Sequence, residues 1–127
     1  MSRFLLDANT AIYALSGQAP AMRAKFEDCE PGEIAISAIS YAEIALGTHA
    51  GRPPSAEALE AFVAAIAVLP FDESAARVYA QLPFKRARFD RLLAAHALSI
   101  GATVVTNNEV DFADVPGLET ENWAQAV

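Results

Sequence analysis

The sequence predicts an α/β fold in which a central, mostly parallel β-sheet is covered by helices on both faces, giving a three-layer α/β/α sandwich. Short apolar segments typical of strands alternate with longer segments of helical periodicity. The connections are short, and parallel neighbours in a sheet need crossover helices between them. With 127 residues, 54% of them hydrophobic, the chain is long enough to bury one core. We therefore expect a single domain over residues 1–127.

The alternation rests on periodicity and on the residues that flank each segment. The predicted strands are Arg3–Leu6, Glu33–Ser37, Val68–Leu69, Thr103–Val105 and a short last strand at Leu118–Thr120. The predicted helices are Ala8–Ser16, Pro20–Glu27, Tyr41–Leu46, Ala56–Ala65, Glu73–Leu82 and Arg91–Ile100. Gly17 and Gly47 follow two of these helices, where a left-handed glycine commonly ends a helix.

Several common kinds of site are missing from the sequence. The six glycines occur singly and form neither a dinucleotide fingerprint nor a phosphate loop. Cys29 is the only cysteine, which excludes an internal disulfide and a Cys-based zinc site. His49 and His96 are too far apart for a local zinc motif. We expect His96 to be a packed, hydrogen-bonded histidine rather than a general base.

The charge pattern is acidic overall but locally basic. The formal net charge is −7, which argues against a polyanionic partner because such binding is driven by Lys and Arg. Four of the nine basic residues nevertheless fall within seven positions, at Lys85, Arg86, Arg88 and Arg91. This segment is either a local patch for nucleic acid or the solvated start of a helix.

No segment of the sequence indicates a membrane protein. The longest apolar run, Ala61–Phe71, is too short to span a bilayer, and the first residues lack the pattern of a signal peptide. We therefore expect a cytoplasmic protein with no membrane partner.

Polar side chains follow two predicted strands at the edge where ligands bind. Parallel sheets bind ligands outside the carboxyl ends of their strands. Asp7 directly follows the first strand, and Thr106-Asn107-Asn108 directly follows Thr103–Val105. We therefore expect both segments at the ligand edge.

Four acids at predicted element boundaries each have a simple structural explanation. Asp7 and Asp90 precede helices and could be N-caps. Glu43 follows Ser40 by three residues, which is the spacing of a capping box, and Asp111 could be a solvated loop residue. Together, however, four acids at one sheet edge would repel one another without a cation. Mg²⁺ prefers such oxygen ligands.

Four sequence runs carry a family resemblance. They are Phe4-Leu5-Leu6-Asp7-Ala8-Asn9-Thr10, Ser37-Ala38-Ile39-Ser40-Tyr41-Ala42-Glu43-Ile44-Ala45-Leu46-Gly47, Asp90-Arg91-Leu92-Leu93-Ala94-Ala95-His96-Ala97-Leu98 and Val105-Thr106-Asn107-Asn108-Glu109-Val110-Asp111-Phe112. In order and spacing the chain resembles the PIN-domain ribonucleases of the VapC toxin type. Pro116-Gly117-Leu118 and Asn122-Trp123 also resemble that family's tail, so the likeness covers nearly the whole chain.

The resemblance implies a metal-dependent ribonuclease. It implies Asp7, Glu43, Asp90 and Asp111 as the catalytic and metal-binding acids, with Thr106 and Asn9 in supporting roles. The implied cofactor is Mg²⁺, with Mn²⁺ as a substitute, and the implied substrate is RNA. The implied partners are a second copy of the chain and a small antitoxin that lays a segment over the active site.

Two positions depart from the family pattern or compete with it. Family members commonly carry a glycine-containing loop before the third acid, where this chain has Lys85-Arg86-Ala87-Arg88-Phe89. This departure favours contact of Arg86 or Arg88 with RNA or a partner. Glu109 lies close enough to Asp111 to compete for the role of fourth acid.

The expected mechanism is metal-assisted phosphodiester hydrolysis, with Asp7 and Asp90 as principal ligands. Two alternatives stay open at this point. A strand followed by Asp7-Ala8-Asn9-Thr10 faintly resembles aspartyl-phosphate phosphatases of the haloacid dehalogenase kind, although those use a second acid where this chain has Asn9. A PIN-like scaffold could also bind RNA or protein without cleaving it.

Overall fold

Five parallel strands form one sheet in the part of the chain that the structure describes. The structure is a computed structural model that describes residues 3–17, 19–83 and 88–124. The strands are β1 (Phe4–Leu6), β2 (Ile34–Ser37), β3 (Ala67–Leu69), β4 (Thr103–Val105) and β5 (Thr120–Glu121). The helices are α1 (Ala8–Leu15), α2 (Pro20–Asp28), α3 (Ala38–His49), α4 (Ala56–Ala65), α5 (Glu73–Gln81) and α6 (Arg88–Ile100), with a 3-10 helix, η1, at Glu109–Phe112.

The sheet order, β3-β2-β1-β4-β5, places β1 in the middle. Leu5 of β1 pairs in register with Ala35 of β2 on one side and with Val104 of β4 on the other. The chain therefore adds β2 and β3 on one side of β1, and then crosses to the other side of β1, where it adds β4 and β5. In parallel sheets this reversal leaves a crevice at the carboxyl ends of the two strands where it occurs.

Alternate side chains of β1 lie on opposite faces of the sheet and belong to two separate apolar layers. Phe4 and Leu6 pack on the face covered by α1 to α4, whereas Leu5 packs on the face covered by α6. Because side chains alternate along a strand, a strand buried on both faces reads as a continuous apolar run. The predicted α/β/α sandwich with a parallel sheet is therefore confirmed.

The start of α3 differs from the prediction. The helix begins at Ala38, immediately after β2, and Ser37 is its N-cap because Ser37 Oγ accepts a hydrogen bond of 3.0 Å from the Ile39 N–H. It continues past Gly47 to His49. The left-handed glycine that follows the helix is Gly51, with φ +88°. The predicted helix Tyr41–Leu46 was therefore too short at both ends.

The carboxyl-terminal third shows three further differences. Helix α6 begins at Arg88 rather than Arg91, so Asp90 lies in its first turn and is not the N-cap that the sequence suggested. Helix η1 was not predicted, and β5 lies at Thr120–Glu121 instead of Leu118–Thr120. Within the described ranges, none of the helices is long and apolar enough to cross a membrane.

Leu5 should contribute far more to stability than an exposed leucine of the same size. Leu5 is fully buried, whereas Leu46 on α3 is 66% exposed. We expect Leu5→Ala to lower the free energy of unfolding by about 2–5 kcal/mol, since it leaves a cavity in the core. Leu46→Ala should change it by less than about 0.5 kcal/mol. Urea unfolding of both variants measures the difference; equal losses would show that the β1–α6 layer is not a packed core.

Candidate active site at the carboxyl end of the sheet

Asp7 is fixed at the centre of the site by its position in the sheet. Its backbone N–H donates to the Val105 carbonyl at 3.0 Å, which ties the end of β1 to the end of β4. Its Oδ1 accepts a 2.8 Å hydrogen bond from the Thr10 N–H and so caps α1, as predicted. A carboxylate has two oxygens, so capping with Oδ1 does not prevent cation binding through Oδ2.

A short hydrogen-bonded chain leads from the end of β4 to Asp111. Thr106 is fully buried, and its backbone N–H donates to the Glu121 carbonyl at 2.9 Å. Its Oγ1 accepts a 3.0 Å bond from the Asn108 N–H, and Asn108 Nδ2 donates to Asp111 Oδ2. Thr106 therefore holds the turn that carries Asp111. Asn108 is part of this hydrogen-bonded chain; the sequence analysis placed it at the ligand edge but assigned it no role in the site.

Glu43 projects from α3, well inside the helix. Because Ser37 is the N-cap, Ser40 already lies within the first turn and cannot be the capping partner of Glu43. The capping-box alternative is therefore wrong. Although Glu43 is exposed as a residue, the crowding around its carboxylate raises its pKa, first through burial and then through the negative charges of Asp90 and Asp7.

Asp90, in the first turn of α6, is also repelled by neighbouring acids. The first turn of a helix ordinarily favours a negative charge. The pKa of Asp90 is nevertheless raised, first by burial and then by the charges of Asp111 and Asp7, while Arg91 acts in the opposite direction. The structure thus places Asp90 within electrostatic range of the other three acids, Asp7, Glu43 and Asp111, and places Asp7 within range of Glu43.

The remaining predicted site residues have different surroundings. Glu109 Oε2 accepts a 2.8 Å hydrogen bond from Thr120 Oγ1, which directs it toward β5, and it does not contribute to the raised pKa of Asp90 as Asp111 does. Asn9 is exposed in the first turn of α1. Arg86 lies outside the described residues, and Arg88 enters the description only as the first residue of α6.

The carboxylates of the site offer the oxygen ligands that Mg²⁺ prefers, but they do not form a ready-made ligand set. Among residues 3–17, 19–83 and 88–124, no group of three or more His, Cys, Asp or Glu side chains is placed so that it could hold a metal ion. Mg²⁺ typically binds proteins through one or two carboxylates and keeps several of its waters. The mutual repulsion that raises the pKa values of Glu43 and Asp90 is what a divalent cation at this edge would relieve.

His96 is a buried residue of α6 that is hydrogen-bonded to Ser37, the N-cap of α3. Only 2% of it is exposed, and its Nδ1 lies 2.7 Å from Ser37 Oγ. Phe71 meets its ring edge-on, and burial lowers its pKa despite an opposing effect of Asp72. The prediction of a packed, hydrogen-bonded histidine is confirmed. The contact joins the helix of Asp90 to the start of the helix of Glu43.

Arg91 was predicted only as one member of a basic surface segment. It is 6% exposed, and its Nη2 donates to Asp114 Oδ2 at 2.6 Å. An ion pair between residues 23 positions apart in the sequence cannot be found from the local charge pattern. The sequence reasoning therefore missed both residues of this pair.

Comparison with known proteins identifies the family of the chain. The PIN domain family model matches residues 4–118. The chain belongs to the PIN-domain family. Its resemblance to the VapC type is also confirmed: the chain is 33% identical to the tRNA(fMet)-specific endonuclease VapC of Shigella flexneri, over 98% of this chain and 100% of that protein.

Solved structures agree with this PIN-domain assignment. The structure of DNA-bound VapBC from Salmonella typhimurium matches with a TM-score of 0.81 and 30% identity, over 97% of this chain and 99% of that chain. VapBC-5 from Mycobacterium tuberculosis, described as a member of the VapBC family of toxin–antitoxin systems, matches with a TM-score of 0.64 and 25% identity, over 96% and 98% of the two chains. The similarity therefore extends over nearly the full length of each protein.

The raised pKa of Glu43 predicts how the stability of the metal-free protein changes with pH. A carboxyl whose pKa is raised by folding binds more protons folded than unfolded, so its contribution to stability falls as pH rises above about 4. In EDTA at pH 7, Glu43→Gln should therefore be more stable than the parent. The difference should shrink as the pH approaches about 4, where the parent's Glu43 is also neutral. Melting curves across this range measure it.

Glu33 supplies the control with the opposite sign. Its pKa is lowered, first by a hydrogen bond from the Glu30 N–H at 2.8 Å and then by Arg3, so it stabilises the fold when ionised. Glu33→Gln should be less stable than the parent at pH 7, and this deficit should vanish as pH falls through the lowered pKa. If Glu43→Gln instead lost stability at pH 7 as Glu33→Gln does, the carboxylate of Glu43 would not be repelled by its neighbours.

Proposed function

We propose that this PIN-domain protein is an Mg²⁺-dependent endoribonuclease that hydrolyses RNA phosphodiester bonds, with Mn²⁺ as a working substitute for Mg²⁺. One observation carries the proposal: Asp90 lies within electrostatic range of Asp7, Glu43 and Asp111, and Asp7 directly follows the central strand β1. Acids that repel one another destabilise the metal-free fold, a trade-off that is common at active sites. The VapC name of the related endonuclease supports the same reaction.

Each acid has a distinct part in the proposed reaction. Asp7 and Asp90 would hold Mg²⁺, and Asp111 would complete the site. Bound Mg²⁺ supplies an activated water and offsets the charge that develops on the phosphate and leaving oxygen. Glu43, on the facing helix α3, would orient the attacking water.

Two neighbouring residues would support these acids without replacing them. Thr106 acts through Asn108, which donates to Asp111. Asn9, which is exposed in the first turn of α1, would be available to contact the substrate.

The substrate proposal follows the names of the relatives. The Shigella flexneri relative is named as specific for tRNA(fMet). Initiator tRNA is therefore the first RNA to test, and unpaired loops are the expected cleavage sites because their bases can be splayed out. Arg86 and Arg88 are proposed to contact RNA phosphates.

We further propose that the protein is the toxin of a toxin–antitoxin pair. The similarity to a VapBC toxin–antitoxin protein supports a small antitoxin partner that covers the carboxylate site. The VapC resemblance also implies a homodimer. A cytoplasmic location follows from the proposed RNA substrate.

Cleavage of RNA should depend on the metal and on Asp90. We expect the purified protein to cut tRNA(fMet) in Mg²⁺ and to lose this activity in EDTA. Asp90→Asn should lower the rate by about a hundredfold or more, the scale of losing one group that stabilises transition-state charge. Gel analysis of labelled RNA, with mapping of the cut ends, measures both effects.

A matched pair from η1 controls this experiment. Asp111→Asn should reduce cleavage, whereas Glu109→Gln should not, because Glu109 is bonded to Thr120 on β5. In the absence of RNA, Mg²⁺ at 100 times its dissociation constant should stabilise the parent by about 2.7 kcal/mol. RNA binding without cleavage in millimolar Mg²⁺ would favour the catalytically silent binding module. A covalent acyl-phosphate on Asp7 would favour the phosphatase.

The basic segment should contribute to the salt dependence of RNA binding. Changing Arg86 and Arg88 together to Ala should reduce the slope of log affinity against log salt by about 0.7 per lost phosphate contact on single strands, or about 0.9 on duplex. Metal stabilisation should be unchanged. Arg77→Ala removes an exposed arginine that is paired with Glu73 on α5, and it should leave the slope as in the parent. Filter binding at several salt concentrations distinguishes the two; an unaltered slope in the double variant would make the segment a solvated helix start.

A further inference from the structure

Arg91 is a buried cation directly beside an acid of the site. It follows Asp90 in the first turns of α6, and its side chain is only 7% exposed. Arginine is rarely buried to this extent unless a partner holds its charge. The partner of Arg91 therefore shows what the buried charge does.

The guanidinium joins the two elements that carry Asp90 and Asp111. Arg91 Nη2 donates to Asp114 Oδ2 at 2.6 Å, a short charge-assisted hydrogen bond. Asp114 lies in the turn that follows η1, three residues after Asp111. A shift of this turn relative to α6 would therefore move Asp111 relative to Asp90.

Apolar contacts hold the same segment against α6 but do not fix its direction. Phe112 and Val115, on either side of Asp114, are 3% and 5% exposed and pack with Leu93 and Ala97 of α6. Hydrophobic contact is non-directional. The planar guanidinium, in contrast, presents its donors in a rigid geometry. The Arg91–Asp114 bond thus supplies a directional contact between these two elements.

The ion pair does not satisfy the whole guanidinium. Arg91 Nη1 is buried and has no hydrogen-bond partner among the described residues. A buried donor without a partner costs stability, and removing the charge of an arginine from water has a further cost that apolar residues of similar volume avoid. Stability alone therefore does not explain why a charged residue occupies this position.

We propose that Arg91 is a positioning residue of the carboxylate site, and that through Asp114 it sets where Asp111 stands relative to Asp90. The inference rests on the proposed metal-dependent activity. It assigns Arg91 no contact with RNA or metal. It also separates Arg91 in role from Arg86 and Arg88, its neighbours in the basic segment.

A positioning role and a simple charge effect predict opposite results for metal affinity. If Arg91 were only a positive charge beside the acids, Arg91→Met would remove repulsion and tighten the binding of a divalent cation. If Arg91 positions Asp111, the same change should weaken binding by about 10–100-fold, the usual effect of losing a contact that orients a metal ligand. The dissociation constant of Mn²⁺, from electron paramagnetic resonance of the free ion at constant ionic strength, distinguishes the two without RNA.

Arg91→Lys and Asp114→Asn test the geometry with smaller changes. Lysine keeps the charge but loses the rigid fork, so weaker Mn²⁺ binding by Arg91→Lys shows that geometry matters. Asp114 is 46% exposed, and its change to Asn leaves Arg91 and all four acids in place. It should weaken binding to a similar extent, and it carries the test if Arg91→Met does not fold. The double variant Arg91→Met/Asp114→Asn should weaken binding by less than the two single effects combined, because both changes remove the Arg91–Asp114 contact.

Arg77 provides the matched control. It forms an exposed ion pair with Glu73 on α5, and Arg77→Met should leave Mn²⁺ binding unchanged. A parent that binds Mn²⁺, together with Arg91→Met and Asp114→Asn variants that bind it as tightly or more tightly, would overturn the positioning role and leave the proposed nuclease intact. A parent that binds no Mn²⁺ up to tens of millimolar would overturn the proposed metal-dependent activity, and the positioning role with it.

Discussion

The central position of β1 in a parallel sheet is the constraint on which the rest of the structure depends. Its neighbours β2 and β4 both run in the same direction, so the chain has to return across a face of the sheet to reach each of them. These returns produce the helices on both faces and bury β1 completely. The crossovers also lead the chain away from β1 and β4 in different directions, which leaves a crevice between the ends of these strands. Asp7 and Thr106, the first residues after β1 and β4, lie at this crevice. The fold and the crevice thus have the same origin.

Helix α6 links the elements that carry the other acids. Near its middle, His96 contacts Ser37, the N-cap of the helix that bears Glu43. Near its start, Arg91 bonds to Asp114 in the turn that follows Asp111. Both contacts involve a side chain that is almost fully buried. Like charges repel one another, and contacts of this kind between the elements that carry the carboxylates oppose their separation.

Sequence reasoning predicted the parallel sheet, the order of elements and the segments at its ligand edge, because these follow from apolar periodicity. Helix Ala56–Ala65 and strand Thr103–Val105 were predicted with the observed bounds. The predicted start of α3 was wrong because Ser37 and Ser40 are equally good caps by residue type. Only the fold shows that Ser37 Oγ accepts from the Ile39 N–H, whereas Ser40 lies inside the helix. The Arg91–Asp114 pair could not be predicted, since a contact between distant residues leaves no local pattern.

Asp7 has two separable roles, since one of its oxygens caps α1 while its negative charge contributes to the repulsion around Glu43 and Asp90. Asparagine caps a helix about as well as aspartate but carries no charge. A single base change converts an aspartate codon into an asparagine codon. For the proposed nuclease toxin, the gene would lie one mutation from a product that keeps the cap of α1 but lacks the charged metal ligand. Cells under the pressure of such a toxin could then escape it without accumulating misfolded protein.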